Sequence, residues 1–405
     1  MTRSQKHVAE AYSPLYFLAS LGAGGLTVTF FMYLMFWVPH AGRTVPIFED
    51  LMAVFANGPI LLQAAVVVAM AGIAIFAFLN VKSLIWNLSS LSRFRKTKSY
   101  EALRSSNGET TLLAGPLAAA MTVNAMFILG LVFVPGLWRV VEYLFPLALI
   151  AFLAIGVWAF LLIGDFLGRV LTKGGVFDVT AHNSFAQLMP AFALAMVSVG
   201  LAAPSAMSGN ALVVGASLVL STFFGTAAIL YTVVVGVTAF SSMLHYGTAR
   251  EAGPTLMVIV PIMTVLGIMS LRQSHGLHVG FELHQTAGET MIFLARLLTV
   301  QVLFLMLGLL VLRRQDYFAD FVFGHKKSPG SYALVCPGVA LSVMLHFFIN
   351  KGLEAAGLIG KFGIAYWSLT AIALLAQIMM IALVFRLNRQ HFSAKGTPDN
   401  MVPAE

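Results

Sequence analysis

Ten apolar runs, each about as long as a bilayer is thick, follow one another along the chain. They cover residues 14–38, 59–81, 111–135, 139–164, 184–203, 210–240, 254–271, 287–312, 331–349 and 363–386. About 20 apolar residues in a helix cross the hydrocarbon core, where every backbone polar group must be paired internally. Short strands of alternating polarity, as in outer-membrane barrels, do not occur. The sequence therefore predicts an all-α polytopic membrane protein with ten transmembrane helices.

Composition narrows the class of function. The chain of 405 residues is 59% hydrophobic and 10% charged, whereas a soluble domain carries about 25% charged residues. Its single cysteine excludes an internal disulfide and a cysteine-based metal cluster. No nucleophile–base pair, phosphate-binding loop or opposed histidine pair for haem occurs. We therefore expect neither an enzyme nor a cofactor or metal site, and no nucleic-acid partner.

The distribution of basic residues predicts the orientation in the membrane. With ten spans both chain ends lie on one side, and most of the 24 Lys and Arg residues fall on that side. Five fall on the opposite side: Arg43, Arg139, Arg272, Lys351 and Lys361. Cytoplasmic loops are the ones enriched in Lys and Arg. Both ends are expected in the cytoplasm, with the chain as a multi-pass protein of the cell (inner) membrane.

These spans divide the chain into one membrane domain and two tails. Residues 1–13 form a cytoplasmic tail, 14–386 the transmembrane domain, and 387–405 a cytoplasmic tail expected to be disordered. The first span lacks a small-residue cleavage site and is expected to be retained. The basic stretch 82–110 is the longest cytoplasmic connection and could form a short surface helix.

Prolines recur at matching depth in alternate spans. Pro116, Pro190, Pro261 and Pro337 lie near the starts of the third, fifth, seventh and ninth spans, spaced by 74, 71 and 76 residues. The first span carries the glycines Gly22, Gly24 and Gly25 instead. Spacing of this kind indicates a repeated helical hairpin, although prolines are also common in membrane helices generally. The sequence predicts five hairpins, each with one kinked odd-numbered helix.

Helix-breaking residues at membrane depth are tolerated where protein or a water-filled cavity surrounds them. We therefore expect the odd-numbered helices to surround a lumen and the even-numbered helices to face lipid. The odd helices also carry sparse polar groups that could line a narrow pore. These are Thr27, Thr122, Asn124, Gln187, Thr264 and Ser342.

The ten spans, the inner prolines and the stretch HYGTAREAGPTLMVIVPIMTVLG (245–267) resemble the tellurite-resistance/dicarboxylate transporter family. That family includes bacterial TehA and the slow-type anion channels of plants. The resemblance covers about 14–386 and rests mainly on proline positions. It implies a quasi-five-fold pore in each protomer, conduction of small inorganic or organic anions, and a homotrimer.

The ninth span departs from the family pattern at Cys336. Members typically carry a phenylalanine before the proline, and that phenylalanine plugs the pore. The triplet Cys336-Pro337-Gly338 places the chain's only cysteine at the plug position. Either a neighbouring aromatic side chain closes the pore or the protein is gated differently. The sequence fits Cys336 equally well as a small apolar packing residue and as a functional thiol.

Several ionisable residues remain as secondary candidates. His275, His278, His284 and Glu282 share one external loop, with a spacing that fits no standard metal site. Arg296 lies inside the eighth span, where it is expected to pair with Asp165 or to reach the interface. His346 near the end of the ninth span could line the external mouth.

Two functions from different classes fit this sequence. The first is a passive, cofactor-free anion channel or transporter. The alternative is a membrane-anchor subunit of a redox enzyme, or an ion-coupled carrier for oxyanions or dicarboxylates. The proline repeat favours the first, because an anchor does not need a ring of kinked helices.

Overall fold

The computed structural model describes residues 9–173, 178, 183–281 and 286–392. Ten of its helices are long and apolar enough to cross a membrane, as predicted. Within the described ranges no residue is in a strand. The α-helical parts of these ten spans, labelled α1 to α10, are Phe17–Trp37, Ile60–Phe94, Ala114–Phe133, Val141–Lys173, Met189–Leu201, Ala211–Tyr246, Ile259–Phe281, Ala287–Arg314, Val335–Phe347 and Ile364–Phe392. Helices α5 and α9 have only 13 residues each, and flanking 3₁₀ and π segments complete their spans, Phe185–Ala206 and Pro329–Glu354.

The helices form an inner and an outer layer. In the apolar core of each odd-numbered span at least 50% of the residues are buried. In that of each even-numbered span at most 33% are buried. Each odd helix packs against the next one, and α9 packs against α1, so that the five inner helices contact one another in a closed cycle. Each of α2, α4, α6 and α8 lies against the odd helices before and after it in the chain, and α10 lies against α9 and α1. Because the outer helices expose large apolar side chains, their outer faces suit lipid.

Every inner helix begins in the same way. A 3₁₀ segment precedes each of them: Pro14–Tyr16, Asn107–Leu113, Phe185–Leu188, Gly253–Met257 and Pro329–Leu334. The recurrence of this entry at all five inner helices supports the hairpin repeat predicted from the prolines.

The prolines occupy the junction between the 3₁₀ and α segments. Pro190 is the second residue of α5, and Pro116, Pro261 and Pro337 are each the third residue of their helix. The first-turn amides of an α-helix have no partner within it, so proline costs little there. The break predicted near the start of each odd-numbered span thus takes the form of a junction between a 3₁₀ segment and the α-helix, with the proline in the first turn of the α-helix.

The glycines of α1 allow neighbouring inner helices to approach closely. A Cβ on Gly22 would lie 2.8 Å from Cγ1 of Val335, and one on Gly25 would lie 2.8 Å from Cγ1 of Val339. A Cβ on Gly24 would meet Met121 of α3 at 2.7 Å. Helix α1 therefore packs closely against α9 and α3 at these glycines.

Polar side chains of the outer helices pair with the inner helices. Asn80 of α2 donates from Nδ2 to the carbonyl oxygen of Ser20 at 2.8 Å, and Ser20 Oγ donates to the carbonyl of Asn80 at 2.9 Å. Gln301 of α8 donates to Thr264 Oγ1 at 2.6 Å. All four residues are at most 4% exposed, and such buried pairs fix the rotation of an outer helix against its inner partner.

Several helices extend beyond the apolar runs that predict them. Helix α2 continues to Phe94, so much of the basic stretch 82–110 is helical, and a short helix, Lys98–Arg104, follows it. Helix α7 continues to Phe281, which corrects the assignment of Arg272 to an external loop. Tyr16 Oη lies 3.1 Å from His391 Nδ1, so the start of α1 and the end of α10 are on the same side. The tail residues 1–8 and 393–405 lie outside the described residues.

Candidate functional site: a cavity between the inner helices

A cavity of about 890 Å³ lies between the five inner helices. It extends from the first turns of α7 and α9 to the connections on the side opposite the two chain ends, where His40, Val45 and Met207 border it. Most of its wall is apolar and comes from α1, α3, α5, α7 and α9, with a contribution from α4. A volume of this size is in the range of small-molecule sites.

A constriction closes the inner end of the cavity. Beyond it lies a second space of about 10 Å³, toward the side of the chain ends. Three residues border both spaces, namely Phe192 of α5, Pro261 of α7 and Cys336 of α9. Phe192 is 2% exposed and Cys336 is 9% exposed. The smaller space is about the size of one water molecule, and these three side chains separate it from the cavity.

Basic side chains border the opposite, wider end of the cavity. Arg272 of α7 donates to the carbonyl oxygen of Val199 at 2.7 Å, and Lys351 lies in the π-helical turn that follows α9. His275 lines the same region, and Lys351 and His278 lie within its electrostatic reach. Among the described residues, no acidic side chain forms an ion pair with Arg272 or Lys351. The described part of the cavity wall contains no Asp or Glu.

Arg43 adds a positive group that is already paired. Its guanidinium forms a salt bridge with Asp50 of the short helix Phe48–Asn57. Arg43 Nε and the hydroxyl of the neighbouring Thr44 are buried without a hydrogen-bond partner among the described residues, and both residues line the cavity.

On the side of the chain ends, two acidic side chains near the inner helices, Glu109 and Asp320, are paired with basic residues. Glu109 accepts from Arg169 Nη2 at 2.6 Å and lies 3.0 Å from Arg104 Nη1. Asp320 accepts from Lys326 at 2.9 Å and from Arg250 at 2.6 Å. These hydrogen bonds, that of Lys326 first, lower the pKa of the Asp320 carboxyl.

The structure divides the sequence-predicted pore residues into two groups. Those that line the cavity are Gly22, Gly25, Asn124, Pro261, Thr264 and Cys336. Those that do not are Gly24, Thr27, Pro116, Thr122, Gln187, Pro190, Pro337, Gly338 and Ser342. Polar groups of both sets are used locally: Thr27 Oγ1 donates to the carbonyl of Ala23 and Thr122 Oγ1 to that of Ala118, as is common for hydroxyls in membrane helices.

The remaining candidates take other positions. His275 and His278 lie on α7, while Glu282 and His284 lie outside the described residues. The described residues contain no group of three or more side chains placed to bind a metal ion. Arg296 is exposed on α8, and Asp165 pairs with Arg104 at 3.1 Å instead of with Arg296. His346 is fully buried and lies outside the cavity wall, which corrects its expected place at the mouth.

Sequence reasoning missed Phe192 and Arg272. Phe192 is one of 32 phenylalanines, and α5 is buried on every face, so no amphipathic pattern distinguishes its cavity-facing side. Arg272 follows the last residue of an apolar run and therefore resembles a loop residue. The run RQSH after that apolar segment could have indicated a helix that continues along an aqueous cavity.

Comparison of the chain with protein-family models, curated proteins and solved structures finds no match. The ten apolar helices and the cavity between the inner helices thus stand as the evidence of function, and they indicate a membrane transporter or channel.

Proposed function

We propose that the chain conducts small anions passively along the path between its odd-numbered helices. The observation that carries this proposal is the charge of the cavity: Arg272 and Lys351 border it without an acidic partner among the described residues, and its described wall has no carboxylate. A cavity with one sign of charge and apolar walls concentrates ions of the opposite sign. Chloride, nitrate and small carboxylates are the class of solute that fits.

The mostly apolar wall between Arg272 and the constriction supports weak binding of anions and loose selectivity among them. Between Arg272 and the constriction most lining side chains are apolar, such as Met196, Ile268 and Val343, with Asn124 and Thr264 as polar residues among them. An anion there must give up part of its hydration without receiving a dedicated set of ligands. Anions with low dehydration cost should therefore pass most readily, and the constriction of Phe192, Pro261 and Cys336 excludes water until it widens.

The remaining expectations are part of the same proposal. The closed cycle of inner helices supports a quasi-five-fold pore within one protomer, and the resemblance to the tellurite-resistance/dicarboxylate transporter family adds a homotrimer. The basic residues near the chain ends support cytoplasmic termini in the cell (inner) membrane. In this orientation the 890 Å³ cavity opens to the outside.

Reconstitution tests this function directly. The full chain is reconstituted in liposomes or planar bilayers, and its ion flux and reversal potential are measured. The gradients are of chloride, nitrate, sulfate and a small dicarboxylate, with potassium and sodium as the cations. We expect reversal potentials that follow the anion gradient and a permeability order that follows dehydration cost. A reversal potential that follows the cation gradient would contradict the proposal, and so would the absence of flux for every anion tested.

A further inference from the structure

The wall of the cavity changes in character with depth. The constriction forms its inner end, and Arg272 and Lys351 border its wider end, which we call the mouth. On α7, Pro261 of the constriction and Arg272 of the mouth lie about three helical turns apart, which is about 16 Å along the helix axis. A molecule bound with one end at the mouth can therefore extend a long part towards the constriction.

Apolar side chains make up most of the wall between these two levels. Every inner helix contributes at least one of them, and examples are Met32 of α1, Met121 of α3, Met196 of α5, Ile268 of α7 and Val343 of α9. We call this part of the lining the apolar wall. Because it comes from all five inner helices, a molecule inside the cavity meets apolar side chains around the whole cycle of helices.

The two polar side chains within the apolar wall already have partners in the protein. Thr264 Oγ1 donates to the carbonyl oxygen of Ala340 at 3.1 Å and accepts from Gln301 Nε2 at 2.6 Å. Asn124 Nδ2 donates to the carbonyl oxygen of Ala120 at 3.2 Å. A small anion that leaves its hydration shell gains few new hydrogen bonds at this depth.

The positive charge of the cavity is confined to its mouth. Arg272 and Lys351 have no acidic ion-pair partner among the described residues, whereas Arg43 is neutralised by Asp50. The described part of the wall holds no carboxylate at any depth. The cavity thus combines positive charge at one end with apolar surface along its length, which matches a molecule with one anionic end and an apolar body.

The size of the cavity also favours such a molecule. Its volume of about 890 Å³ is in the range of sites for drug-sized ligands, and a chloride or nitrate ion fills only a small part of it. Apolar surface that is removed from water contributes favourably to binding. A ligand with an apolar body can therefore use the apolar wall, which an inorganic anion cannot.

We propose that the cavity binds amphiphilic monoanions, with medium-chain monocarboxylates as the chemical class. The carboxylate lies at the mouth near Arg272 and Lys351, and the alkyl chain lies along the apolar wall and reaches towards Cys336. The constriction stops the end of the alkyl chain, so the ligand occupies the path of small anions. The inference rests on the proposed function for the attraction of anions to the mouth, but not for their passage.

Equilibrium dialysis of the full chain in nanodiscs tests this site without reference to flux. The probes are decanoate, butanoate and decanol at about pH 8, where a carboxyl group is ionised, and empty nanodiscs measure the uptake by lipid. Affinity should rise by about fourfold for each buried methylene, which is about 0.8 kcal/mol. Decanoate should therefore bind at least about tenfold more tightly than butanoate. Equal affinities of the two carboxylates, after subtraction of lipid uptake, would overturn the proposal.

Decanol and the variant Arg272→Gln test the part played by charge. Decanol has the same chain as decanoate without the charge, and it should bind roughly tenfold more weakly. Arg272→Gln should weaken decanoate binding by a similar factor and leave decanol binding unchanged. Arg139→Gln is the matched control, because Arg139 is exposed and does not line the cavity. The proposal is wrong if decanol binds as tightly as decanoate, or if both variants weaken decanoate binding equally.

Protection of Cys336 locates the alkyl chain and needs no variant that must fold. This cysteine is the chain's only one and borders the inner end of the cavity. Decanoate should slow its labelling by a small neutral maleimide in proportion to the occupied fraction of the protein. Saturating butanoate should leave the labelling rate unchanged, because its chain is too short to reach from the mouth to the constriction. An unchanged rate in saturating decanoate would show that the chain does not lie in the cavity.

The flux of small anions separates this inference from the proposed function. In liposomes decanoate should inhibit chloride flux over the concentration range in which it protects Cys336. Binding and protection in a chain that conducts no anion would support the ligand site and contradict the proposed function. Anion flux that persists while decanoate neither binds nor protects Cys336 would support the proposed function and overturn the ligand site.

Discussion

Arg272 Nη1 donates a hydrogen bond to the carbonyl oxygen of Val199 over 2.7 Å, which fixes a guanidinium of α7 against the end of α5. The carbonyl has no charge, so this bond holds the side chain in position without neutralising it. In a setting of low dielectric constant the remaining positive charge acts over several ångströms. Arg272 is thus a fixed positive charge that borders the cavity without an acidic partner among the described residues.

Neutralising Arg272 should weaken anion entry. We expect Arg272→Gln to raise the half-saturating anion concentration roughly tenfold, which corresponds to the loss of about 1.4 kcal/mol of attraction. Arg272→Lys should retain most of the effect, because it keeps the charge. Concentration-dependent flux in liposomes measures both variants.

Arg139→Gln is the matched control for Arg272. This arginine lies in the segment Leu137–Arg139, where it is exposed and does not line the cavity. Its neutralisation should leave half-saturation unchanged. If both variants shift half-saturation equally, the surface potential governs entry and Arg272 has no special part in it.

Phe192 should act as the aromatic part of the constriction. We expect Phe192→Ala to raise the basal flux, because it removes the largest side chain that borders both spaces. The change also deletes a buried ring, which typically costs about 3–5 kcal/mol of stability. Flux per folded protein, normalised by size-exclusion recovery, is therefore the quantity to compare.

Leu194→Ala separates the pore effect of Phe192→Ala from its cost in stability. Leu194 lies on the same helix and is 2% exposed, but it does not border the cavity. We expect it to lower the melting temperature while leaving basal flux per folded protein unchanged. Equal flux in wild type and Phe192→Ala would show that the ring does not close the path.

The ten spans are predictable from hydropathy alone, since the cost of unpaired backbone in lipid leaves few alternatives to helices. The rotation of each inner helix about its own axis cannot be predicted in this way. Helix α5, for example, is apolar and buried all round, so nothing in its sequence marks Phe192 as facing the cavity. The proline positions predict the repeat, and four of the five 3₁₀ entries also carry a serine N-cap that could have marked them, namely Ser13, Ser106, Ser184 and Ser328. The burial of His346 is explained only when its neighbours on α1, the rings of Tyr33, Phe36 and Trp37, are known.

Gly25 should be needed for the contact between α1 and α9. In Gly25→Ala the new Cβ would lie 2.8 Å from Cγ1 of Val339, so one of the helices must shift. We expect a loss of about 1–3 kcal/mol, as for other overpacked sites, read as a lower melting temperature. The double variant Gly25→Ala/Val339→Ala should recover part of the loss, because it removes the opposing methyl groups.

Gly164→Ala is the control for the change from glycine to alanine. Gly164 lies on α4 and a Cβ there would meet nothing within 4 Å. Alanine is the better helix former by about 1 kcal/mol, so this variant should be neutral or slightly stabilising. A loss in Gly164→Ala comparable to that in Gly25→Ala would indicate that helix propensity, not close packing, sets the effect.

Cys336 should report on the narrowest part of the path. It borders both spaces with 9% exposure, so a small, neutral, membrane-permeant maleimide should label it slowly. Labelling should reduce flux, because the added group fills the ring formed with Phe192 and Pro261. Cys336→Ser should keep the fold and remove the sensitivity, and Cys336→Phe should lower basal flux by adding a second aromatic ring. Since it is the chain's only cysteine, no other thiol can account for the result. Full labelling without a change in flux would assign Cys336 to simple packing.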